Sequence, residues 1–157
     1  MAKRVAVVGA GPSGLATVKE LLDEEHIPTC FEKAIEPGGV FRFGEQDGVV
    51  WESCRLTSSG PMTAFSDYPV RRHQTDHLLA GEYCDYLAQY AEALGVLRHL
   101  RLGTVVESVK PDPNGGWIVS SATTNGPRHE EQFDAVAICS GLHQHPHLPR
   151  YPGQRWV

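Results

Sequence analysis

The sequence has little positive charge and no long hydrophobic run. Its 157 residues include 14 Lys and Arg against 19 Asp and Glu, giving a net charge of −5, and the densest basic segment is the short run Arg71 to His73. This balance argues against a protein that holds nucleic acid by its phosphates. Only Val5 to Val8 are continuously apolar before Gly9. Because this run is too short for a signal peptide or a membrane span, we expect a cytoplasmic protein with no membrane partner.

Cysteines and histidines are too dispersed to predict a disulfide or a metal site. No Cys-x-x-Cys pair occurs among the four cysteines, which are Cys30, Cys54, Cys84 and Cys139. Two of them fall in apolar segments, where cysteine behaves as a small hydrophobe. Three histidines alternate in a Pro-rich stretch without a carboxylate or cysteine beside them, namely His143, His145 and His147. A surface loop is favoured there over a metal site. No catalytic Ser/His/Asp set or carboxylate pair stands out, so no catalytic side chain is predicted.

The sequence does contain a glycine-rich loop between a predicted strand and a predicted helix. Residues 3–8 are typical of a buried parallel strand, and the segment after the loop has apolar residues at helical spacing. The loop itself is Gly9-Ala10-Gly11-Pro12-Ser13-Gly14. In this context Gly9 allows a tight turn, Gly11 lets the backbone approach a pyrophosphate, and Gly14 lets the helix lie close to the sheet. The unpaired N–H groups of the helix amino terminus then face the phosphates.

An acid, Glu32, closes the apolar second strand that begins at Ile27. This is where a ribose can donate its hydroxyl groups to a carboxylate in a dinucleotide-binding unit. A 2′-phosphate would be repelled by the charge of Glu32. The first βαβ unit is therefore predicted to bind adenosine diphosphate that carries no extra phosphate.

The rest of the sequence predicts one α/β domain over residues 1–157. Residues 33–80 are rich in Gly, Pro and aromatics and lack periodicity, which is typical of a segment wrapped around a ligand. A helix is predicted over 82–94, a strand over 97–109, a turn over 111–116, and further strands over 117–120, near 129–133 and over 135–139. The fold class is a Rossmann-like parallel sheet with helices and an inserted antiparallel β-meander. Because plain NAD-binding domains continue with βα units, the meander favours FAD over NAD.

Four segments together resemble the flavin-containing monooxygenase family over nearly the whole chain. They are the glycine loop with Glu32, the run Gly38-Gly39-Val40-Phe41, the block Met62 to Pro69, and the run from Ser140-Gly141 through Pro146 and Pro149 to Pro152-Gly153. The first is shared by many flavoproteins, whereas the Phe65-Ser66-Asp67-Tyr68-Pro69 block and the proline run are more specific.

The resemblance implies a set of FAD-binding residues. The pyrophosphate would be held by Gly9, Gly11 and Gly14, together with Pro12 and Ser13. The adenosine ribose would be bound by Glu32, which is followed by Lys33. The remaining members are Gly38, Gly39, Val40, Phe41, Thr57, Met62, Val105, Val106, Ser140 and Gly141. Backbone N–H groups of Gly38 and Gly39 would lie alongside the cofactor, although a simple turn after Pro37 is the alternative. Val105 and Val106 would contact adenine or belong to the strand core. The isoalloxazine would lie near Phe41, Trp51, Leu56, Thr57 and Met62.

Two positions depart from the family. Phe41 stands where many members have tryptophan, a change that keeps an aromatic wall. Thr57 stands where well-known members carry an asparagine close to the flavin, so the role of that asparagine cannot be transferred directly.

The resemblance also implies an activity and a division of labour. In this family NADPH reduces FAD, and the reduced flavin reacts with oxygen to oxidise a small-molecule nitrogen or sulfur nucleophile or a ketone. Since the sequence contains one glycine-rich phosphate loop, we expect it to be the amino-terminal FAD-binding part, with NADPH bound by a region missing from this chain. The alternative is a stand-alone FAD- or ADP-binding module without turnover. We also expect an exposed apolar patch that favours self-association.

Overall fold

The computed structural model describes residues 1–43, 50–70, 76–123, 126–142, 147 and 149–153. The chain opens with strand β1 (Arg4–Val8), helix α1 (Pro12–Asp23) and strand β2 (Ile27–Phe31), and a short 3-10 helix covers Gly39–Phe41. Helices α2 (Gly60–Thr63) and α3 (Ala80–Ala93) follow, then a second 3-10 helix, Leu97–His99. The remaining strands are β3 (Leu100–Arg101), β4 (Thr104–Pro111), β5 (Trp117–Thr123), β6 (Arg128–Phe133) and β7 (Ala135–Ile138).

The two sheets are the predicted parallel sheet and the predicted meander. The parallel sheet has the order β3-β2-β1-β7, and β4-β5-β6 form the antiparallel meander, which is inserted before β7. The fold class is therefore confirmed. Asp112 accepts a hydrogen bond from Asn114 N–H at 2.8 Å in the turn between β4 and β5, as the Asp-Pro-Asn-Gly sequence predicts.

Alternate residues of the parallel sheet pack into two separate hydrophobic cores. Val7 and Cys30 face the core that helices α1 and α3 cover. Ala6 and Phe31 face the second core, where Phe133 from the meander meets them. Because side chains alternate between the faces of a strand, a sheet covered on both faces needs a continuous apolar run, which β1 supplies. The result is three layers, with helices on one face and the meander on the other.

Aromatic and ionic contacts fasten the meander to the parallel sheet. The rings of Phe31 and Phe133 meet edge to face with centroids 6.0 Å apart. The guanidinium of Arg101 lies 5.3 Å from the Phe31 ring centroid, and that of Arg4 lies 5.0 Å from the Phe133 centroid. Glu131 on β6 pairs with Arg101 through both carboxylate oxygens. The meander thus stabilises the face of the parallel sheet opposite the helices.

Two predicted boundaries are wrong. The strand predicted over 97–109 is broken into a 3-10 helix, β3 and β4, because Gly103 turns the chain at φ +60°. Its N–H donates to the Ala34 carbonyl at 2.8 Å. Helix α3 begins at Ala80 rather than Glu82, since the Glu82 carboxylate accepts the Leu79 N–H at 2.7 Å and caps the first turn.

The Phe65–Pro69 block is an aromatic brace between two helices. Tyr86 of α3 donates its hydroxyl to the Tyr68 carbonyl and accepts the Phe65 N–H, both at 2.7 Å. Phe65 also packs on Tyr90, with ring centroids 4.6 Å apart. From the other side, Lys19 Nζ of α1 lies 2.9 Å from Asp67 Oδ2. These contacts give the block a structural role beside the site.

Candidate functional site

A cavity of about 570 Å³ lies at the carboxyl ends of β1, β2 and β7. This is the edge at which ligands bind in open parallel sheets. The cavity brings together most of the predicted cofactor-binding residues, from both ends of the chain. They are Gly9, Gly11, Pro12, Ser13, Glu32, Lys33, Gly39, Val40, Phe41, Val105, Val106, Ser140 and Gly141.

The three glycines of the phosphate loop, residues 9–14, differ in whether the surrounding protein requires glycine. Gly9 has φ +102°, and a Cβ there would lie 2.5 Å from the Cys139 carbonyl oxygen. At Gly14 a Cβ would lie only 1.8 Å from the Gly9 carbonyl oxygen, so the helix could not lie where it does. Gly11 has an ordinary φ of −75°, and its nearest neighbour would be Gly39 Cα at 3.5 Å. Protein packing therefore explains Gly9 and Gly14, but it does not explain Gly11.

Glu32 is buried directly behind the phosphate loop, with 6% of its surface exposed. Its Oε2 accepts the Ala10 N–H at 2.7 Å and its Oε1 accepts the Ala34 N–H at 2.9 Å. A carboxylate has about four lone-pair sites, so it retains acceptor capacity for ligand hydroxyl groups. The acid predicted from its position after β2 thus lines the cavity and is held rigidly by backbone donors.

The Gly38–Gly39 turn packs directly on the phosphate loop. The Gly38 N–H donates to the Ala10 carbonyl at 3.0 Å, so it is committed within the protein rather than turned toward a cofactor, contrary to the prediction. Gly39 has φ +60°, and a Cβ there would lie 2.9 Å from Gly11 Cα. The turn continues into Phe41, which packs edge to face on Tyr83 of α3 with centroids 4.8 Å apart. Glycine at position 39 thus serves the close approach of two backbone segments, whereas at Gly38, with φ +134°, a Cβ would lie 2.8 Å from Cys84 Sγ.

Seven cavity residues were not predicted: Val8, Phe31, Ala34, Arg42, Thr104, Cys139 and Leu142. Val8 and Phe31 are the last residues of β1 and β2, and Cys139 follows β7. The rule that ligands lie beyond the carboxyl ends of parallel strands would have found these three. The Arg42 Nη1 donates to the Glu36 carbonyl at 3.0 Å, and this contact depends on a turn that the sequence alone does not reveal.

Some predicted residues do not line the cavity. Gly14 and Gly38 are buried beneath it. Thr57 and Met62 are exposed, Met62 by 80%, and Trp51 is exposed as well. Leu56 packs against the core on the helical face of the sheet. A contact between the flavin ring and Thr57 or Met62 stays a prediction.

The thiols of Cys30 and Cys84 are held neutral because their pKa values are raised. Burial, followed by the negative charge of Glu32, raises the pKa of the Cys30 thiol to about 12. Burial raises the pKa of Cys84 to about 11. Since a thiol must ionise to act as a nucleophile, these cysteines act as small apolar side chains.

In the parts of the chain that the structure describes, no three His, Cys, Asp or Glu side chains group in a way that would hold a metal ion. His143 and His145 lie outside the described residues, as does the Arg71–His73 run. In the same ranges, no helix has the length and hydrophobicity to cross a membrane.

Comparison with known proteins gives consistent matches. A family model described as Flavin-binding monooxygenase-like matches residues 2–155. The N-oxide-forming dimethylaniline monooxygenase 4 of Mus musculus is 40% identical over 163 aligned residues, which cover 98% of this chain and 29% of that protein.

Solved structures agree with this match. The S-allyl-L-cysteine S-oxygenase of Allium sativum has a TM-score of 0.88 at 27% identity, covering 98% of this chain and 39% of that one. A cyclohexanone monooxygenase from Rhodococcus sp. Phi1, bound to NADP+, shares the fold at a TM-score of 0.76 and 24% identity, covering 98% of this chain and 28% of that one.

Proposed function

Because this chain belongs to the Flavin-binding monooxygenase-like family, we propose that it binds FAD in the cavity at the carboxyl ends of β1, β2 and β7. FAD supplies the redox chemistry when it is bound, and the protein supplies binding, orientation and a shaped environment. The chain spans about 29% of the length of the mouse relative, so the oxidation reaction itself is proposed for a longer protein.

The single observation that carries this proposal is the unexplained glycine at position 11. Neither its backbone angle nor its neighbours require glycine, whereas Gly9 and Gly14 are fully explained by the protein. Gly11 lines the cavity beside the amino terminus of α1, and a Cβ there would have no protein neighbour within 4 Å apart from the Gly39 backbone. A phosphate group fits there because unpaired backbone N–H groups and the helix dipole favour an anion.

The other residues fit an adenine dinucleotide laid across the strand ends. Glu32 accepts ribose hydroxyl groups, and its charge disfavours a 2′-phosphate. The cavity wall next to Glu32 is formed by Thr104, Val105 and Val106. This wall lies beside Glu32 because the Thr104 N–H donates to the Glu32 carbonyl at 2.8 Å. The two valines provide an apolar surface for adenine. Gly39, Val40 and Phe41 line the wall beyond the phosphate loop, on the path toward the flavin.

In the longer protein we propose an NADPH- and O2-dependent monooxygenase acting on soft nitrogen or sulfur nucleophiles or on ketones. The mouse relative is named for N-oxide formation and the Allium relative for S-oxygenation, and both reactions use nucleophiles of this kind. The phosphate loop is the one GxGxxG segment of this sequence and is assigned to FAD. NADPH binding is therefore proposed to lie outside these 157 residues.

A second candidate is a nucleotide-binding module that holds FAD or its ADP portion without turnover. The presence of one GxGxxG segment favours this candidate for the chain on its own, because one phosphate loop binds one dinucleotide. Anaerobic addition of NADPH to the FAD-loaded chain tests whether this chain turns over on its own. Bleaching of the flavin at enzymatic rates would show that this chain contains its own NADPH site, and a stable visible spectrum would support the module.

FAD binding itself is tested by titration calorimetry and by the visible spectrum of the purified chain. Gly11→Val places a branched side chain against the phosphates, and we expect it to abolish binding of FAD and ADP while the protein stays folded. The matched control is Gly81→Val on α3, where a Cβ meets nothing within 4 Å. Unchanged affinity in Gly11→Val would place the phosphates elsewhere, and a wild-type chain that binds neither ligand would contradict the proposal.

A further inference from the structure

Three motifs that are separate in the sequence converge on one residue of the phosphate loop. Ala10 is fully buried in the centre of that loop. Its N–H donates to Glu32 Oε2 at 2.7 Å, and its carbonyl accepts the Gly38 N–H at 3.0 Å. The conformation of the loop thus depends on the acid after β2 and on the glycine turn that follows it.

Every polar group of Glu32 makes a hydrogen bond to the protein backbone. Its N–H donates to the Arg101 carbonyl at 3.1 Å and its carbonyl accepts the Thr104 N–H at 2.8 Å. Its second carboxylate oxygen holds the Ala34 N–H at 2.9 Å. A side chain fixed in this way cannot turn away from a ligand or from the loop. Its geometry is set by the sheet before any ligand arrives.

We infer that Glu32 is a positioning residue of the phosphate loop in addition to being the ribose acceptor, so that ribose recognition and pyrophosphate recognition are coupled through the bond between Glu32 and Ala10. The inference rests on the proposed function, because it presupposes that the cavity binds an adenosine diphosphate group. It differs from ribose recognition in one respect: Glu32 affects affinity even for a ligand that has no ribose hydroxyl groups.

The chemistry of glutamine shows why the two roles are separable. A carboxylate accepts hydrogen bonds at both oxygens, whereas the glutamine amide has one acceptor oxygen and one NH2 donor. Glu32→Gln would therefore leave either the Ala10 or the Ala34 N–H facing another donor in a buried place. A buried donor without an acceptor is costly, so the loop is expected to shift. By the same reasoning, neutralising Glu32 in order to admit a 2′-phosphate would damage the phosphate site.

The test is a cycle that combines Glu32→Gln with removal of the ligand hydroxyl groups. Binding of ADP and of 2′,3′-dideoxy-ADP is measured by titration calorimetry on the wild-type chain and on Glu32→Gln. We expect Glu32→Gln to weaken ADP binding and also to weaken dideoxy-ADP binding about tenfold, the loss typical of a hydrogen bond to a charged group. Equal affinity of both proteins for dideoxy-ADP, with ADP binding weakened, would overturn the inference and leave the proposed function intact. A wild-type chain that binds neither ligand would overturn the proposed function as well.

A control and a second measurement keep the result interpretable. Glu92→Gln makes the same change at an exposed position of α3 and is expected to leave both affinities unchanged. Amide proton shifts of the unliganded wild-type chain test the bonds directly by NMR. Low-field signals for Ala10 and Ala34 are expected from bonds to a carboxylate, and ordinary shifts for both would overturn the inference. This measurement decides the question if Glu32→Gln does not fold.

Discussion

The phosphate loop and the Phe65–Pro69 block are built in opposite ways. In the loop, backbone meets backbone: Gly14 lies against the Gly9 carbonyl, and Gly39 lies against Gly11. In the block, large side chains fill the space, and the Tyr86 hydroxyl satisfies two backbone groups. The phosphate loop therefore depends on the absence of side chains at its glycines, whereas the Phe65–Pro69 block depends on large side chains that fill space. Added atoms should harm the first region, and removed atoms the second.

The largest effect is expected from Gly14→Ala. A Cβ 1.8 Å from the Gly9 carbonyl oxygen forces α1 away from the sheet, and overpacking of this kind costs about 3 kcal/mol of unfolding free energy. Gly11→Ala is the matched variant, because its Cβ makes only an ordinary contact at 3.5 Å. We expect urea denaturation to show a stability loss for Gly14→Ala alone, and calorimetry to show weaker ADP binding for Gly11→Ala. Equal stability losses would break the distinction between the two glycines.

The next effect is expected from Tyr86→Phe, which removes one hydroxyl from the block. The Phe65 N–H and the Tyr68 carbonyl then lose their shared partner, at a cost of about 1–3 kcal/mol in unfolding free energy. ADP affinity should not change, since Tyr86 does not line the cavity. Tyr83→Phe, which removes a single longer bond of 3.4 Å to the Thr63 carbonyl, should cost less in the same urea titration. A large loss of ADP affinity in Tyr86→Phe would mean that the block shapes the site.

A smaller, pH-dependent effect should also come from the aromatic side of the molecule. Burial raises the pKa of Tyr90 to about 12, while an unfolded tyrosine ionises near about 10. Because the folded pKa is the higher one, this contribution to stability is complete below about pH 10 and is lost as the pH rises toward 12. Melting temperatures measured across this range should fall less steeply for Tyr90→Phe than for the wild type. Parallel curves would show that Tyr90 does not contribute to the alkaline loss.

The smallest effect is expected at the outer edge of the block. Lys19 Nζ lies 2.9 Å from Asp67 Oδ2 and 2.8 Å from Asp23 Oδ2, so Lys19→Met removes ion pairs at the protein surface. Salt screens such pairs, and the difference in melting temperature between the variant and the wild type should shrink from low to high salt. Lys110→Met, at an exposed position of β4, serves as the control. A salt-independent difference would indicate lost packing of the lysine stem instead.

Much of this architecture was predictable from local sequence. The apolar run at Val5–Val8 and the tyrosines at helical spacing in α3 identify their elements because burial imposes a period on each. The break at Gly103 was not predictable, because it depends on β3 pairing with β2 across a long stretch of chain. The same holds for the Gly38 N–H, whose acceptor is Ala10. Local patterns reveal which face of an element is buried, whereas partners distant in the sequence decide where a backbone donor points.

The pairing of β7 with β1 has a consequence for the order of events during synthesis. Val5 pairs with Ala135, and the Asp134 carboxylate accepts the Arg4 N–H at 2.7 Å. Strand β1 therefore cannot complete its pairing until β7, the last of the described strands, has been synthesised. The cavity takes one wall from residues 8–13 and another from residues 139–142. Contacts between such distant segments form slowly because a long loop must close first. A ribosome-bound chain therefore carries the phosphate loop long before it has a site, and the nucleotide can stabilise only the finished domain.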